Sequence, residues 1–498
     1  MTAFDSVETG AKLGKAEYRA RLPDLRLGLL NAQFDLRSAD FSVVIVIAGN
    51  DRIGATAALR TLNELMDARY MKTVALPRVP NHAPKRPLLE RYWTSLPRNG
   101  QVGLFYGGWP IDAVYNQVLG DHDQVRFDRD IAHSRSFEQI LVAEGTLVLK
   151  FWLHLPKKML KKRLKRAVTD PAEFWQITEA DWGAFEVYDD SVEAASRYVE
   201  ATTSPGAEWV MVESSDAHHR DATISETILS KIQPRLQLAA EEVDTGSTVS
   251  REPSGSSLAP APSELLARLD LSASLSKGTY KRRRDSVQAQ LNRLTAKAVQ
   301  HEVSSVLVFE GWDAAGKGGA IRRLTSAVAP QNYRVIPVAA PTPEELAHPY
   351  LWRFWERLPS PGRITIFDRS WYGRVLVERV EGLAAPTDWK RAYDEINDFE
   401  EQLCEAGIIV LKFWLHIDPD EQLERFEQRG QTAYKKHKLT NEDFRNRERW
   451  LDYESAVQDM VDRTNTPYAP WHLIAANDKR WARVAVLSEY ESRLRREL

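Results

Sequence analysis

Cysteine is almost absent from this sequence, because Cys404 is the only one among 498 residues. A single thiol excludes an internal disulfide framework and a zinc site built from several cysteines, and it is typical of a reducing compartment. We therefore expect a cytoplasmic protein. Long apolar runs are missing as well, since the strand-like run from Val43 to Ala48 is far shorter than the ~20 residues that span a bilayer. Residues 1–15 contain no apolar signal-peptide core, so neither membrane insertion nor export is indicated.

The chain also lacks a charge excess of either sign. Its 67 Lys and Arg side chains are balanced by 70 Asp and Glu side chains, for a formal net charge of −3. The chain as a whole is therefore not a polycation. An anionic partner would have to bind to local basic patches. We expect neither nucleic acid nor a membrane as a partner.

Length and composition predict a folded protein of more than one domain. The sequence is 43% hydrophobic and 28% charged, which is the usual balance of a globular protein. Its length exceeds the ~250 to 300 residues at which a single hydrophobic core stops growing, so two or more domains are expected.

An internal repeat is the strongest pattern in the sequence. The block Val-Leu-Lys-Phe-Trp-Leu-His at 148–154 recurs unchanged at 410–416, an offset of 262 residues from 148 to 410. The same offset pairs residues far from this block, for example Gly49 with Gly311. A constant register of this kind predicts a duplicated domain.

The segment between the two copies has the composition of a linker. It contains clusters of Gly, Ser and Pro, such as Pro253–Ser257, that resist packing into a core. We predict one copy at 1–235, a flexible linker at 236–270 and the second copy at 271–498.

Within each copy, short runs rich in Val and Ile alternate with longer helix-like stretches. In the second copy the runs are Val303–Phe309, Tyr333–Val338, Arg363–Phe367, Ile408–Trp414 and Trp471–Ala475. Such alternation predicts a parallel sheet, and the near-continuous hydrophobicity of the runs predicts strands buried on both faces by helices. The predicted fold class is α/β.

The most specific local signal is the loop Gly311–Gly318, which follows the first of these runs and precedes a helix-like stretch. Glycines let backbone N–H groups approach phosphate oxygens, a lysine reaches the terminal phosphates, and a helix N-terminus aims both. The pattern predicts a P-loop in which Gly311, Gly316 and Gly318 contact phosphate. Lys317 is the predicted catalytic lysine, expected as an exposed loop side chain; the alternative interpretation of the whole segment is a surface turn.

Carboxylates near this loop predict a magnesium site. Gly318 stands where a P-loop normally has the Ser or Thr that ligates Mg²⁺, and Asp313 inside the loop can supply an anionic oxygen instead. Asp368 closes an apolar run as a Walker B carboxylate does, and Arg369 follows it. We predict that Asp313, Lys317, Asp368 and Arg369 are catalytic and that Asp313 and Asp368 hold the metal. An Asp at a strand end can alternatively be only a helix cap.

Basic residues crowd the segment between Arg425 and Arg449. In a P-loop kinase such a segment forms a lid that closes over the phosphates and excludes water. Most of these cations, taken singly, are typical of a solvated surface, so only four of them are predicted to contact phosphate. These four are Arg429, Lys435, Lys436 and Lys438.

The first copy keeps the scaffold and loses these charges. Ala55, Tyr106 and Gly107 occupy the positions of the catalytic lysine, the Walker B aspartate and its arginine. The four lid positions are likewise without a cation and are Ala167, Glu173, Phe174 and Gln176. We therefore expect one active site per chain. Asp51 and Gly54 are retained, which leaves vestigial anion binding open in the first copy.

The first copy also carries a basic run at helical spacing, from Lys157 to Arg166. This run could hold a long polyanion, but a solvated helix face is the interpretation that the sequence alone favours. The run Lys281–Arg284 either borders the active-site channel or faces water.

Taken together, these motifs resemble the polyphosphate kinase 2 family. The segments that carry the resemblance are Glu310–Gly319, Phe367–Arg374, Val377–Val380 and Lys435–Thr440. The resemblance covers the second copy nearly end to end and the first copy at the level of the scaffold. The duplicated layout is similar to that of the two-domain members that act as polyphosphate:AMP phosphotransferases.

The resemblance implies a thymidylate-kinase-like P-loop fold of three layers with a helical lid. It further implies Mg²⁺ as the metal, inorganic polyphosphate as the phosphoryl donor and a nucleotide as the acceptor. The four catalytic residues named above take Walker A and Walker B roles, and Arg374 and Arg379 are added as phosphate contacts. Trp312 departs from the family pattern, in which a basic residue is frequent at that position.

The leading hypothesis is transfer of the terminal phosphoryl group of polyphosphate to AMP, which gives ADP. The alternatives are a polyphosphate-dependent kinase of nucleoside diphosphates, an ATP-dependent nucleotide kinase and a non-catalytic polyanion-binding protein. The intact Lys317, Asp368 and Arg369 argue against the last of these. The sequence leaves open the choice among AMP, ADP and GMP, the net direction and the polymer length; we expect a homo-oligomer.

Overall fold

The computed structural model describes residues 3–4, 6–76, 86–120, 122–169, 179–244, 266, 269–431 and 447–498, without the side chains of 240, 242–244 and 429–431. The described chain forms two compact units. The first contains most of the first copy, here called the N-terminal repeat, together with Pro341–Trp352. The second unit contains most of the second copy, here called the C-terminal repeat.

In the N-terminal repeat, strands alternate with helices as predicted. The helices are α1 (Lys15–Leu36), α2 (Arg52–Leu65), α3 (Glu90–Trp93), α4 (Gly108–Leu119), α5 (Gln124–Ala143), α6 (Lys157–Thr169), α7 (Glu179–Glu186), α8 (Tyr188–Thr202) and α9 (Ala217–Asp244). The strands are β1 (Val43–Gly49), β2 (Met71–Val74), β3 (Val102–Tyr106), β4 (Leu147–His154) and β5 (Trp209–Glu213).

The C-terminal repeat has the same order of strands. Its helices are α10 (Lys277–Gln300), α11 (Lys317–Thr325), α12 (Pro343–Leu346), α13 (Trp352–Trp355), α14 (Val377–Val380), α15 (Pro386–Glu405), α16 (Pro419–Gln431), α17 (Trp450–Thr464) and α18 (Lys479–Glu497). The strands are β6 (Ser305–Gly311), β7 (Tyr333–Pro337), β8 (Ile364–Asp368), β9 (Ile409–His416) and β10 (Trp471–Ala475).

Each repeat has one five-stranded parallel sheet. The strand order is β2-β3-β1-β4-β5 in the N-terminal repeat and β7-β8-β6-β9-β10 in the C-terminal repeat, which is the same topology. The register is the same as well, because Ile47 pairs with Tyr106 and Phe309 pairs with Asp368. The central strands are buried almost along their whole length. The predicted α/β class and the tandem duplication are therefore confirmed.

The linker predicted from residue 236 differs from the structure at its start. Helix α9 continues through this point to Asp244. The reason is local, because the sequence there is rich in Leu, Ala and Glu, which have high helix propensity. Among the described helices, none has the length and apolar character that crossing a membrane requires.

A buried ion pair stands at the centre of each repeat. In the C-terminal repeat, Lys412 on β9 donates to Glu400 on α15 at 2.7 Å and to the carbonyl oxygen of Thr464 at 2.7 Å, and both charged side chains are fully buried. Glu400 also accepts from Trp371 at 3.0 Å. In the N-terminal repeat Lys150 and Glu138 form the same pair at 2.6 Å.

Replacing Glu400 with Gln is expected to destabilise the C-terminal repeat by about 3–5 kcal/mol. The variant leaves the Lys412 ammonium buried without its counter-charge, and an unpaired buried charge is costly. Hydrogen exchange of the β9 amides, measured along a urea series, reports this repeat separately from the other.

The control is Asp394→Asn, which neutralises an exposed carboxylate on the same helix and is expected to change stability by less than about 0.5 kcal/mol. Equal unfolding midpoints for the two variants would contradict the structural role of the buried pair.

Candidate active site

The predicted P-loop joins β6 to α11 through two glycines in conformations that other residues avoid. Gly311 has a φ of +143°, and a Cβ atom there would lie 2.4 Å from the carbonyl oxygen of Leu415. Gly316 has a φ of +110° and immediately precedes α11, where no side chain caps the helix. Gly318 is exposed in the first turn of that helix. The loop therefore presents an uncapped helix N-terminus, which favours anions.

Lys317 lies inside this loop and not on its surface. Its ammonium donates to the carbonyl oxygens of Gly311 at 2.6 Å and of Trp312 at 3.3 Å. The side chain is half-buried, which differs from the exposed side chain that the sequence predicts. Burial lowers the pKa of Lys317, and the neighbouring Asp313 opposes that shift. The cation is thus positioned by backbone carbonyls at the mouth of the loop.

Asp313, Asp368 and Arg369 are brought together from two segments. The Arg369 guanidinium donates to the Asp313 carboxylate at 3.1 Å. Asp368 is the last residue of β8 and pairs with Phe309 on the neighbouring β6, the strand that leads into the loop. Oxygen ligands from one or two carboxylates, completed by substrate phosphates, are what Mg²⁺ usually takes in proteins. The donor set of Asp313 and Asp368 fits that ion.

No group of three or more His, Cys, Asp or Glu side chains that could hold a metal is found in the part of the chain that the structure describes. A cation at Asp313 and Asp368 would therefore need phosphate oxygens or water to complete its coordination.

The arginine that follows β8 has a strained backbone. Arg369 has a φ of +64°, a conformation that residues other than glycine rarely adopt. Its N–H donates to the carbonyl oxygen of Phe309 at 3.0 Å. The next residue, Ser370, donates to the buried Glu310 carboxylate at 2.8 Å. Burial raises the pKa of Glu310, although Lys317 opposes the shift. Backbone strain maintained by surrounding contacts is typical of functional sites.

Arg425 is a site residue that the sequence interpretation missed. It is buried, and its guanidinium donates to the carbonyl oxygens of Ala314 and Ala315 in the P-loop, both at 2.9 Å. It also donates to the carbonyl oxygens of Ala476 at 2.6 Å and of Asn477 at 2.8 Å, beyond β10. One planar side chain therefore fixes the loop against the segment that follows β10.

A signal for Arg425 is present in the sequence. The constant offset pairs it with Arg163, so this arginine is retained in both repeats. The four lid cations predicted to bind phosphate are absent from the N-terminal repeat, and this contrast separates a structural arginine from its basic neighbours.

An aromatic cluster lies beside the loop. Trp312 stacks on Trp450 at the start of α17, with ring centroids 3.7 Å apart and planes inclined by 11°. The indole N–H groups of Trp312 and Trp414 point at Nδ1 of His416, at 3.1 Å and 3.3 Å. His416 therefore accepts hydrogen bonds as a neutral ring, and burial lowers its pKa to about 4.

The remaining predicted phosphate contacts have other partners. Arg374 forms an ion pair with Glu378 at 3.0 Å. Arg379 pairs with Asp459 at 2.7 Å and lies over the ring of Trp389, 4.3 Å from its centroid. A cavity of about 80 Å³ beside the loop is lined by Gly311, Asp313 and Arg369. Neither of these two arginines lines it, and neither do Lys317 and Asp368. Arg374 and Arg379 therefore have acidic partners in this structure, and the cavity lining does not separate them from the other predicted site residues.

Most of the predicted lid lies outside the residues that the structure describes. Lys435, Lys436 and Lys438 lie outside the described residues. Arg429 belongs to helix α16, but the structure does not describe its side chain.

The same loop in the N-terminal repeat holds an internal carboxylate. Asp51 accepts from the backbone N–H of Gly54 at 3.0 Å, at the start of α2, and is also bonded by Arg163 and by the hydroxyl of Ser214. The Asp51 carboxylate is fully buried. The vestigial anion binding that the sequence left open has no support here, because the protein's own anion takes the helix N-terminus.

A cleft remains at the equivalent place in the N-terminal repeat. It has a volume of about 300 Å³ and is lined by Ala55, Tyr106 and Gly107, at the positions of Lys317, Asp368 and Arg369. The replacement of charge by apolar and neutral groups, predicted from the offset, is thus seen in the geometry.

Comparison with known proteins gives consistent results. A model of the family described as Polyphosphate kinase 2 matches residues 12–239 and again residues 274–497. A polyphosphate:AMP phosphotransferase from Pseudomonas aeruginosa is 46% identical over 487 residues, which are 97% of this chain and 97% of that protein. A crystal structure described as a polyphosphate kinase 2 from Pseudomonas aeruginosa PA01 has a TM-score of 0.87 and 43% identity, covering 99% of each chain.

A relative whose name gives a different phosphoryl acceptor matches a smaller part of this chain. An ADP-polyphosphate phosphotransferase 2 from Rhizobium meliloti is 40% identical over 199 residues, which are 40% of this chain and 65% of that protein.

The neutral His416 makes the stability of the C-terminal repeat depend on pH. Because its pKa is lowered to about 4 in the fold, its contribution is complete above its ordinary pKa of about 6.5 and is lost as the pH falls toward 4. The loss amounts to at most about 3 kcal/mol. Urea unfolding measured between pH 7 and pH 4 is expected to show this decline, and His416→Gln to reduce it.

His301→Gln serves as the control, because His301 is exposed. An unchanged pH dependence in His416→Gln would show that folding does not lower the pKa of this imidazole.

Proposed function

Because the chain belongs to the polyphosphate kinase 2 family, we propose that it transfers the terminal phosphoryl group of inorganic polyphosphate to AMP, giving ADP and a polymer shorter by one phosphate. The observation that carries the choice of AMP is the extent of the similarity. The relative named for AMP shares both repeats over 97% of this chain, whereas the relative named for ADP shares 40% of it.

The reaction makes one bond and breaks one. An oxygen of the AMP phosphate attacks the terminal phosphorus of polyphosphate, and the bond from that phosphorus to the bridging oxygen breaks, leaving the shortened polymer with the electron pair. The attacking oxygen is already ionised at neutral pH, because the second pKa of a phosphate monoester is about 6. The site therefore needs alignment and charge neutralisation more than a general base.

The loop residues supply those two requirements. Lys317, held by the carbonyl oxygens of the loop, and Arg369, held by Asp313, neutralise charge on the transferring group. Gly311, Gly316 and Gly318 let phosphate oxygens approach the backbone at the N-terminus of α11.

Asp313 and Asp368 are the residues that would hold Mg²⁺. When bound, this cation supplies positive charge to the phosphate oxygens and orients them. The proposal also assigns phosphate contacts to Arg374, Arg379 and the lid residues. The lid residues in question are Arg429, Lys435, Lys436 and Lys438.

The proposal includes the organisation of the chain. The first residues of the chain, through the end of α9 at Asp244, form a non-catalytic repeat, the residues after it as far as 270 form a linker, and residues 271–498 form the catalytic repeat. We also propose a cytoplasmic location, consistent with the single cysteine, and a homo-oligomer that takes polyphosphate and nucleotide but neither nucleic acid nor membrane.

Lys317→Ala is expected to reduce turnover about 100- to 1000-fold, because a preorganised cation at the transferring group is removed. The purified chain is incubated with polyphosphate, Mg²⁺ and a panel of nucleoside mono- and diphosphates, and the products are resolved by chromatography. Circular dichroism verifies that the variant is folded.

The matched control is Ala55→Lys in the N-terminal repeat, which should add no activity because Tyr106 and Gly107 remain. Formation of ADP from ATP and AMP without polyphosphate would contradict the proposed donor. Conversion of ADP but not AMP would contradict the proposed acceptor.

Arg425→Lys is expected to reduce turnover about 10- to 100-fold, because a single ammonium cannot hold the four carbonyl oxygens that fix the loop. The equivalent Arg163→Lys should leave turnover unchanged, since it bonds to Asp51 and Ser214 in the repeat without catalytic charges. Turnover is measured where both variants keep the native circular dichroism spectrum. Equal losses in both would refute a specific role for Arg425.

A further inference from the structure

Helix α6 of the N-terminal repeat carries seven cations and no acidic residue. Two of them have carboxylate partners, since Lys157 pairs with Asp189 and Arg163 with Asp51. The other five are exposed and form what we call the basic face. It consists of Lys158, Lys161, Lys162, Lys165 and Arg166.

The cations of the basic face have no ion-pair partner among the residues that the structure describes. Lys161 lies 5.9 Å from the ring centroid of Phe185. The helix packs against α7, whose Asp181 is engaged by Arg52. Positive charge is therefore concentrated on one exposed surface of a molecule whose formal net charge is −3.

The equivalent helix of the C-terminal repeat shows that the fold does not require this charge. Helix α16 follows the equivalent strand at the constant offset, and three exposed lysines of α6 correspond there to exposed acidic residues. Lys158 corresponds to Asp420, Lys162 to Glu424 and Lys165 to Glu427. Either positive or negative side chains can keep an exposed helix face hydrated. Hydration therefore does not explain why the charges on α6 are positive.

The form of the helix argues against two kinds of ligand. Its apolar side chains Leu160, Leu164 and Ala167 are buried within the repeat, and the two exposed ones, Met159 and Val168, do not form the continuous apolar face that binds a bilayer. It has no Asn, Gln or aromatic side chain to pair with adenine or to stack on bases, which argues against base-specific recognition of nucleic acid. The groups that it does offer are ammonium and guanidinium, which contact phosphate oxygens.

We propose that the basic face is an accessory binding surface for inorganic polyphosphate, which holds the part of the donor polymer that lies outside the catalytic site. This inference rests on the proposed function. From Lys158 to Arg166 the helix advances about 12 Å, so the face contacts several successive phosphates of one chain. Its role is tethering: a polymer held on the N-terminal repeat has a raised effective concentration at the catalytic site.

The proposal predicts a difference between long and short donors. A variant carrying Lys158→Asp, Lys162→Glu and Lys165→Glu places the residues of α16 on α6. With AMP as acceptor, its KM for long-chain polyphosphate should rise about 10-fold or more, while its kcat stays unchanged. Its KM for tripolyphosphate, which has only two phosphates besides the one that is transferred, should stay unchanged.

Direct binding supplies a readout independent of catalysis. End-labelled long-chain polyphosphate is titrated with the full chain over a salt series. The slope of log K against log salt should become shallower by about 0.7 for each cation removed, treating polyphosphate as a single-stranded polyanion. The control carries Lys15→Glu, Arg19→Glu and Lys231→Glu, three exposed cations of the same repeat, and has the same net charge.

Three outcomes would overturn the inference. They are an unchanged long-chain KM and salt slope in the α6 variant, an equal loss in the control variant, and displacement of the labelled polymer by single-stranded nucleic acid of equal charge at lower concentration. If the unaltered chain forms no ADP from polyphosphate and AMP, the proposed function fails. The binding titration still decides whether the basic face holds the polymer.

Discussion

A lysine and a glutamate, both without solvent exposure, fix the centre of each repeat. In the C-terminal repeat the pair joins β9 to α15, and the same glutamate binds the indole of Trp371 in the segment that follows β8. Because an unpaired charge at such a site costs several kcal/mol, the three elements cannot shift independently. The segment that begins with Arg369 is thereby held against the sheet. The pair is also present in the N-terminal repeat, which lacks the charges that are predicted to be catalytic, so it serves the fold.

The strands and their order could be predicted from the sequence, because the patterns that indicate them are local or periodic. The apolar runs predicted the strands of the C-terminal repeat to within two residues, since a strand buried on both faces has a continuous apolar sequence. The constant offset predicted identical topology, and the paired registers of β1 with β3 and of β6 with β8 confirm it. The predicted order of strand, glycine-rich loop and helix is found at Gly311–Gly318, and the family match confirms the resemblance.

The site was less readable because the role of a side chain depends on what the fold brings beside it. Arg425 is one of many cations in its segment, and only its burial against the loop carbonyls distinguishes it. Lys317 was expected in solvent, but the carbonyl oxygens of its own loop enclose it. Asp51 and Asp313 occupy matching positions and each binds an arginine, yet Asp51 caps its helix and Asp313 leaves its helix uncapped. No spacing rule separates those two outcomes.

The internal carboxylate of the N-terminal repeat has a consequence for how a duplicated enzyme changes over time. Asp51 occupies the helix N-terminus that a phosphate would otherwise take, and Arg163 and Ser214 hold it there. Phosphate affinity in this repeat would first require the removal of a carboxylate that caps α2, so the first substitution would lower stability before any cation introduced nearby could be useful. A chain that changes one residue at a time therefore meets a loss of stability before it meets a gain in binding.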